Sequence, residues 1–519
     1  MGNGYVRSGL EILSQIHGEK CWPLVETVSP CEEACPIHMD IPSYVMALAQ
    51  GKFKEALAVI RETNPFPSIC GRVCHHPCEA ACNRALIDRP VAIEWLKRFA
   101  GEYELLTNGR PQPIKPVRDA RVAIIGSGPA GLTAAHDLVK LGFRVSVFEA
   151  EPVAGGMLAA GIPEFVLPQK IVKAEIDYIR ALGVKIKTGL RIGKDMSLDD
   201  LFSQGYKTVL VACGAWKSAG LNIPGAGLSG VQLALPFLKE AKLGQKRPLK
   251  GTVAVIGGGN VAVDAARTAL RLGADEVVLA CLESRDQMPA FAWEVEQAER
   301  EGVRILNSVA PQEFLARPVG KVGGIRFQAV KTFSRDESGR VSWTLKDGIE
   351  NESLLATTAV IVAIGQAQDR DLAPELKRTA SGSIEVDPET LAASRPGVYA
   401  AGDAVRLPGT VTEAIQAGHK AATAMARALG VPIEKAEGTQ YKSFVIDEKM
   451  IPAFLVKKDR WDMPALSAKD AVRSMSETLL GYTEEQVREE AKRCLNCRMC
   501  GNCLFGRGQI CVETSARLL

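Results

Sequence analysis

The sequence predicts an α/β chain: two parallel-sheet domains of Rossmann-like type, one inserted in the other, with a helical domain ahead of them and a cysteine-bearing tail behind. Three observations predict it. A short apolar run, Arg121 to Ile125, leads directly into Gly126-Ser127-Gly128-Pro129-Ala130-Gly131 and then a helical pattern. A second such run, Thr252 to Ile256, leads into Gly257-Gly258-Gly259-Asn260-Val261-Ala262 and another helical pattern. Of the 14 cysteines, seven precede residue 83 and five follow residue 493, so the ends carry a different chemistry from the middle.

The elements follow in order. Residues 1–115 carry the first cysteine set and helical patterns such as Ile41 to Arg61, with no clear strand. Pro111, Pro113 and Pro116 mark a linker. Residues 116–225 form the first part of domain one: strand Arg121–Ile125, a helix over Thr133 to Leu141, a strand ending at Glu149, and a buried strand at Val209 to Gly214. Residues 226–354 form the inserted domain, with strand Thr252–Ile256, a helix over Val261 to Leu272 and a strand over Glu276 to Glu283. Residues 355–436 complete domain one, with the apolar run Ala359 to Gly365 repeating the Val209 pattern. Residues 437–519 form the charged tail with the second cysteine set.

Composition bounds the class. A chain of 519 residues is too long for one core, so three or four domains are expected. The net charge of +3, with acids and bases interspersed, gives no basis for nucleic acid or a membrane surface as partner. Apolar stretches are interrupted by glycine too soon to span a bilayer. The opening residues carry no basic-then-apolar leader, which predicts a cytoplasmic protein. In that setting many cysteines predict thiolates on metal rather than a disulfide scaffold.

The first loop has the parts a dinucleotide needs. Gly126 permits the tight turn, Gly128 lets backbone approach a pyrophosphate, and Gly131 lets helix and strand pack closely. Pro129 and Ala130 open the helix, whose N-terminal N–H groups attract phosphate. Glu149 ends the next strand and suits a ribose diol. The second element is Val398-Tyr399-Ala400-Ala401-Gly402-Asp403, followed by a helix from about Thr412. Asp403 alone reads as a helix cap. Paired with the first loop, it reads as a ribityl-binding aspartate, and the cofactor as FAD.

The second loop has Ala262 at the third glycine position, which this motif tolerates. Gly257, Gly259, Asn260 and Val261 are its candidate nucleotide contacts. Glu283 follows in the place of the acid that accepts from the 2′-hydroxyl of NAD, although a solvated strand-end charge explains it equally well by position alone. Arg285, two residues on, keeps NADP possible. No CxxC occurs between residues 121 and 436, and Cys213 and Cys281 read as core thiols, so a dithiol flavoenzyme is disfavoured.

At the tail, Cys494, Cys497, Cys500 and Cys503 form C-x2-C-x2-C-x2-C, with Cys511 beyond. That spacing suits a cubane iron–sulfur cluster; structural zinc, which prefers two separated pairs, is the alternative. At the front stand Cys21, Cys31-x3-Cys35 and Cys70-x3-Cys74-x3-Cys78-x3-Cys82.

With Cys31-Glu32-Glu33-Ala34-Cys35-Pro36, Asn64-Pro65-Phe66-Pro67, Cys70-Gly71-Arg72-Val73-Cys74, Gly155-Gly156-Met157-Leu158, Gly161-Ile162-Pro163, Met288-Pro289 and Gly402-Asp403, the chain resembles a known family over about residues 25–430. The family contains the small subunit of bacterial glutamate synthase, the N-terminal half of dihydropyrimidine dehydrogenase and the large subunit of NADH-dependent ferredoxin:NADP oxidoreductase. The resemblance implies an FAD domain split by an NAD(P) domain behind a helical iron–sulfur domain. It implies hydride transfer from NAD(P)H to FAD and single electrons passed through two or three [4Fe–4S] clusters to a larger catalytic subunit or ferredoxin in a hetero-oligomer. Gly156, Met157, Leu158 and Gly365 become candidate nucleotide contacts, with packing an equal reading of Gly156 to Leu158. Cys35, Cys74 and Cys78 are implied for one cluster, and Cys31 and Cys82 for another; Cys70 has no counterpart role. No catalytic side chain is expected, because the cofactors carry the chemistry.

Three departures stand out. The family's CxxC ahead of the residue matching Cys31 is absent, and a similar Arg-Cys-Leu-Asn-Cys stands instead at Arg493 to Cys497. The family's Glu or Gln ligand matches Lys97, which cannot ligate while charged. Its NADP-binding Tyr-Arg-Arg matches Cys281-Leu282-Glu283, which favours NAD. An electron-bifurcating subunit, an NADPH-dependent glutamate synthase-type small subunit and a non-catalytic redox sensor are the alternatives.

Overall fold

The computed structural model describes residues 27–497 apart from 108, 110, 246, 337–338, 407–408, 434–441 and 444–456. Cys21, Cys500, Cys503 and Cys511 lie outside the described residues. Apolar runs too short for a buried helix become strands buried on both faces, as parallel sheets require. The first sheet runs Val398–Ala400, Tyr206–Val211, Arg121–Ile125, Arg144–Phe148, Lys185–Lys187, all parallel. The second runs Arg304–Leu306, Glu276–Ala280, Thr252–Ile256, Ala359–Val362, Val231–Leu233, also all parallel.

The second sheet corrects one expectation. Strand Ala359–Val362, read as the return to domain one, lies inside the inserted domain between Thr252–Ile256 and Val231–Leu233. The boundary expected after residue 354 therefore moves beyond Val362. The two crossings between the domains pair with each other: Lys217–Ser218 runs antiparallel to Gln366–Ala367. The inserted domain also carries an antiparallel sheet of Val309–Arg317, Lys321–Arg335, Val341–Leu345 and Glu352–Ala356, which the sequence reading passed over.

In the N-terminal domain the helix expected over Ile41 to Arg61 is two helices, Ile41–Ala49 and Phe53–Thr63. Gly51, at φ +74°, supplies the left-handed turn between them. One apolar core joins these helices, the helices of domain one and the tail helix Glu484–Ala491; a separate core fills the inserted domain. Buried polar ties fix the N-terminal domain on domain one. Arg61 pairs with Glu104 and, at 2.8 Å, with Glu175, whose other oxygen accepts from the Ser68 amide at 2.8 Å. The helical domain and the first nucleotide loop are thus held as one unit.

Candidate functional site

A cavity of about 330 Å³ opens where the two nucleotide loops and the cysteine domain meet. Its first wall is the loop Gly126 to Ala130. Gly126 sits at φ +102°, and a Cβ there would stand 2.3 Å from the Ala212 carbonyl oxygen. A Cβ on Gly131 would stand 2.1 Å from the Gly126 carbonyl oxygen, so this residue packs helix Pro129–Lys140 against its strand and does not line the cavity. A Cβ on Gly128 meets no protein atom within 4 Å. The middle glycine alone faces open space, as close approach of a pyrophosphate demands.

Glu149 is buried beside this loop. It accepts from the Ser127 amide at 3.0 Å, the Ser127 hydroxyl at 2.5 Å and the Glu151 amide at 2.8 Å. Those bonds fix the carboxylate while leaving acceptor capacity for hydroxyl groups. Gly156, Met157 and Leu158 line the next wall. Gly402 and Asp403 close the far side, where helix Val411–Ala428 begins with a Thr410–Glu413 capping box. Gly365 is not among the cavity-lining residues, although Gln366 is. Cys213, read as a core thiol, lines the cavity; Cys281 is buried as expected.

Burial, with the charge of Glu413 adding to it, raises the Asp403 carboxyl from 3.8 to about 6. The folded state holds this proton more tightly than the unfolded chain does. Flavin-free protein therefore loses stability as pH rises from about 4 to 6 and keeps the lower value above that window. Asp403→Asn removes the dependence. The variant-minus-wild-type difference in Tm is expected to grow by a few degrees across the window and stay level above it. A difference that is flat from pH 4 to 7 contradicts this assignment.

The second loop meets the cavity through Asn260 and Val261. Gly257, at φ +138°, lies against the Ala363 carbonyl, and Glu283 lies against the loop itself: a Cβ on Gly258 would stand 2.8 Å from its Oε2. Arg335 donates to Glu283 Oε1 at 3.0 Å, whereas Arg285 turns away to Glu299 at 2.6 Å. Sequence reasoning missed Arg335, which arrives from the unforeseen antiparallel sheet. It also missed Asp264 and Glu294, two acids facing the cavity from helices Asn260–Arg271 and Ala292–Arg300. Burial raises Asp264 well above its usual range, Glu294 adding to it, and burial raises Glu294 to about 7. The signal was an acid inside the apolar turn Val261 to Ala266.

The third wall is Val73 and His75, which flank Cys74. The His75 ring lies parallel to Phe291 at 5.7 Å, and Phe291 stacks on Trp293 at 4.6 Å, so the inserted domain rests on the cysteine loop. Lys97 is buried among Cys70, Cys74 and Cys78, with Cys35 adjoining Cys74 and Cys78. Burial alone would lower the Lys97 ammonium, but the three thiols and Glu94 carry it upward, so it stays charged. Cys70 is fully buried in this group, and its thiol is pushed up to about 12 by burial.

Cys31, Cys82, Cys494 and Cys497 form a second group around a hollow of about 20 Å³. Burial pushes Cys31 up to about 12, with Cys82 and Cys497 adding to it. Tyr44 is wholly buried, and burial, with Cys78, Cys31 and Cys35 adding to it, raises its hydroxyl well above the usual range. Buried thiols without a counter-cation resist ionisation, whereas iron supplies that cation and suits an all-sulfur donor set. Among the described residues no three His, Cys, Asp or Glu side chains come together as a site for a single metal ion.

A loop left open at its middle glycine, a second glycine-rich loop on the same cavity and two groups of thiols are the parts of a flavin- and nicotinamide-dependent oxidoreductase. Comparison with known proteins agrees. The family model described as pyridine nucleotide-disulphide oxidoreductase matches residues 120–418. The model described as dihydropyrimidine dehydrogenase domain II, 4Fe–4S cluster, matches residues 17–108. The chain is 38% identical over 514 residues to the NADP(+)-dependent formate dehydrogenase subunit beta of Moorella thermoacetica, covering 93% of this chain and 72% of that one. It is 35% identical over 516 residues to the NADPH-Fe(3+) oxidoreductase subunit beta of Geobacter sulfurreducens, covering 90% and 75%. It is 33% identical over 416 residues to the glutamate synthase [NADPH] small chain of Azospirillum brasilense, covering 76% and 84%. FprA of Mycobacterium tuberculosis in complex with NADPH shares the fold, with a TM-score of 0.51 at 20% identity over 60% of this chain and 85% of that one. The chain belongs to the pyridine nucleotide-disulphide oxidoreductase family. It is an NAD(P)H-dependent oxidoreductase of FAD and [4Fe–4S] type.

Proposed function

We propose that this chain is the nicotinamide-linked subunit of a larger enzyme. It passes electrons between NAD(H), FAD and [4Fe–4S] centres, to or from a partner catalytic subunit or a ferredoxin. The observation that carries the reading is contiguity: one cavity joins the first loop, Asn260 and Val261 of the second, and the residues on either side of Cys74. Gly126, Gly128, Pro129, Ala130, Glu149, Gly402 and Asp403 would hold FAD; Gly257, Gly259, Asn260, Val261 and Glu283 would hold NAD. When bound, FAD supplies the exchange between hydride and single-electron transfer that nicotinamide lacks. Cys35, Cys74 and Cys78 would ligate the inner centre, with Cys70 as the fourth thiol in place of the ligand lost at Lys97. The names of relatives as beta subunits or small chains support a partner subunit. Among the described residues no helix is long and apolar enough to cross a membrane. We place the enzyme in the cytoplasm, where thiolates stay reduced.

The purified chain is expected to reduce a viologen dye with NADH as donor. Failure with both NADH and NADPH, in protein that carries FAD and iron, sinks the reading. The NAD preference rests on Glu283 lying against Gly258. Glu283→Arg is expected to raise the NADPH-to-NADH ratio of kcat/KM about tenfold to a hundredfold, ~1.4–2.8 kcal/mol. A wild-type enzyme that already prefers NADPH, as the names of the three relatives suggest for those proteins, shows that Glu283 does not select the nucleotide.

A further inference from the structure

The tail returns to the front of the molecule. Helix Glu484–Ala491 packs on helix Ile41–Ala49, and the segment after it lies beside Asn83 and Arg84. Arg493 is the largest fully buried side chain in this region. It donates to Asp88 at 2.7 Å, to the Arg89 and Pro90 carbonyls and to the Lys458 carbonyl at 3.0 Å, and it pairs with Glu490 at 2.6 Å. Glu490, also buried, accepts from the Ala92 amide at 2.9 Å. This anchor holds Cys494 and Cys497 at the hollow lined by Cys31 and Cys82, where Asn83 Nδ2 approaches the Cys497 sulfur at 3.5 Å.

We propose that one [4Fe–4S] centre is ligated jointly by Cys31 and Cys82 of the N-terminal domain and Cys494 and Cys497 of the tail. The tail pair takes the place of the CxxC missing ahead of Cys31. The proposal rests on iron–sulfur ligation in the N-terminal domain, not on the nucleotide or the acceptor. The two short spacings Cys31-x3-Cys35 and Cys78-x3-Cys82 each give one thiol to the inner group and one to this outer group. The inner group adjoins the flavin cavity through Val73 and His75, which flank Cys74, and the outer group lines the separate hollow.

The test uses the full-length chain, produced anaerobically as wild type, Cys31→Ser, Cys494→Ser/Cys497→Ser, and the variant combining all three changes. Iron and sulfide per FAD and the electron paramagnetic resonance of the dithionite-reduced protein are read. Each single-site or paired variant is expected to lose about four iron and four sulfide, with the same resonance missing, and the combined variant to lose no more. Additive loss in the combined variant, or loss of different resonances, overturns the proposal. A variant that fails to retain FAD is replaced by thiol labelling of the wild type. Cys31, Cys82, Cys494 and Cys497 are then expected to become reactive together as iron is chelated, and labelling of the two pairs at separate stages refutes a shared centre. NADH reduction of bound FAD is expected to persist in every variant, so failure of the nucleotide reading is seen separately.

Discussion

Arg493→Ala is expected to release the C-terminal segment and empty the outer thiol group while leaving the flavin site intact. The side chain is wholly buried, and its charge faces Asp88 and Glu490. Burial opposes the charge on Asp88, but Arg84, the Lys458 amide and Arg493 hold its carboxyl far below the usual range. Removing the guanidinium leaves Glu490 buried beside an empty space and strips the Arg89 and Lys458 carbonyls of their side-chain donor, while the Pro90 carbonyl keeps Arg460. Breaking a buried pair from one side costs about 3–5 kcal/mol, and the lost carbonyl partners add to that. Docking of one short segment cannot absorb so large a loss. Hydrogen exchange over residues 484–497 should rise toward the unfolded rate, and iron per FAD should fall by about four. Arg493→Lys keeps the charge but not the fork of donors, so it should recover only part of the iron. Unchanged exchange and full iron in Arg493→Ala contradict the anchoring role.

The two nucleotide loops were legible because their requirements are local. A tight turn, an open middle glycine and a packed third residue all fall within six positions, and Gly126, Gly128 and Gly131 meet a protein atom, open space and a protein atom in turn. The fate of Ala359–Val362 was not legible. Its apolar run matches that of Val209–Val211, and hydrophobicity does not say which of two parallel sheets a strand joins. The antiparallel sheet left a weaker trace, buried Val322, Ile325 and Phe327 among half-buried neighbours, interrupted by glycines that blurred its period. The pairing of Cys31 with Cys494 spans almost the whole chain. Spacing rules see C-x2-C but not its partner, so the sequence left open whether the tail extends the front clusters or completes one. What decides it is Arg493, a residue that looks like any surface arginine until Asp88, Glu490 and three carbonyls are seen around it.

Two glycines in the first loop should fail for opposite reasons. In Gly131→Ala the new methyl carbon would stand 2.1 Å from the Gly126 carbonyl oxygen, a backbone atom that cannot swing aside. Helix Pro129–Lys140 must move off its strand, an overpacking cost of about 1–3 kcal/mol or more. The expected result is a lower Tm for flavin-free and flavin-loaded protein alike. Gly128→Val places its side chain where no protein atom lies within 4 Å and where the backbone, at φ −71°, suits any L-residue. Flavin-free Gly128→Val should therefore unfold within about 1 kcal/mol of wild type, the difference coming from valine's poorer N-capping of helix Pro129–Lys140. Its side chain instead occupies the space a pyrophosphate needs, and the N–H groups at the head of the helix lose their close approach. Affinity for FAD is expected to fall at least about a hundredfold, ~2.8 kcal/mol. Calorimetric titration of flavin-free protein with FAD, beside thermal unfolding without it, separates the two outcomes. If Gly128→Val binds FAD as wild type does, the cavity beside Gly128 is not the flavin site, and the order of stations from nicotinamide to tail must be redrawn.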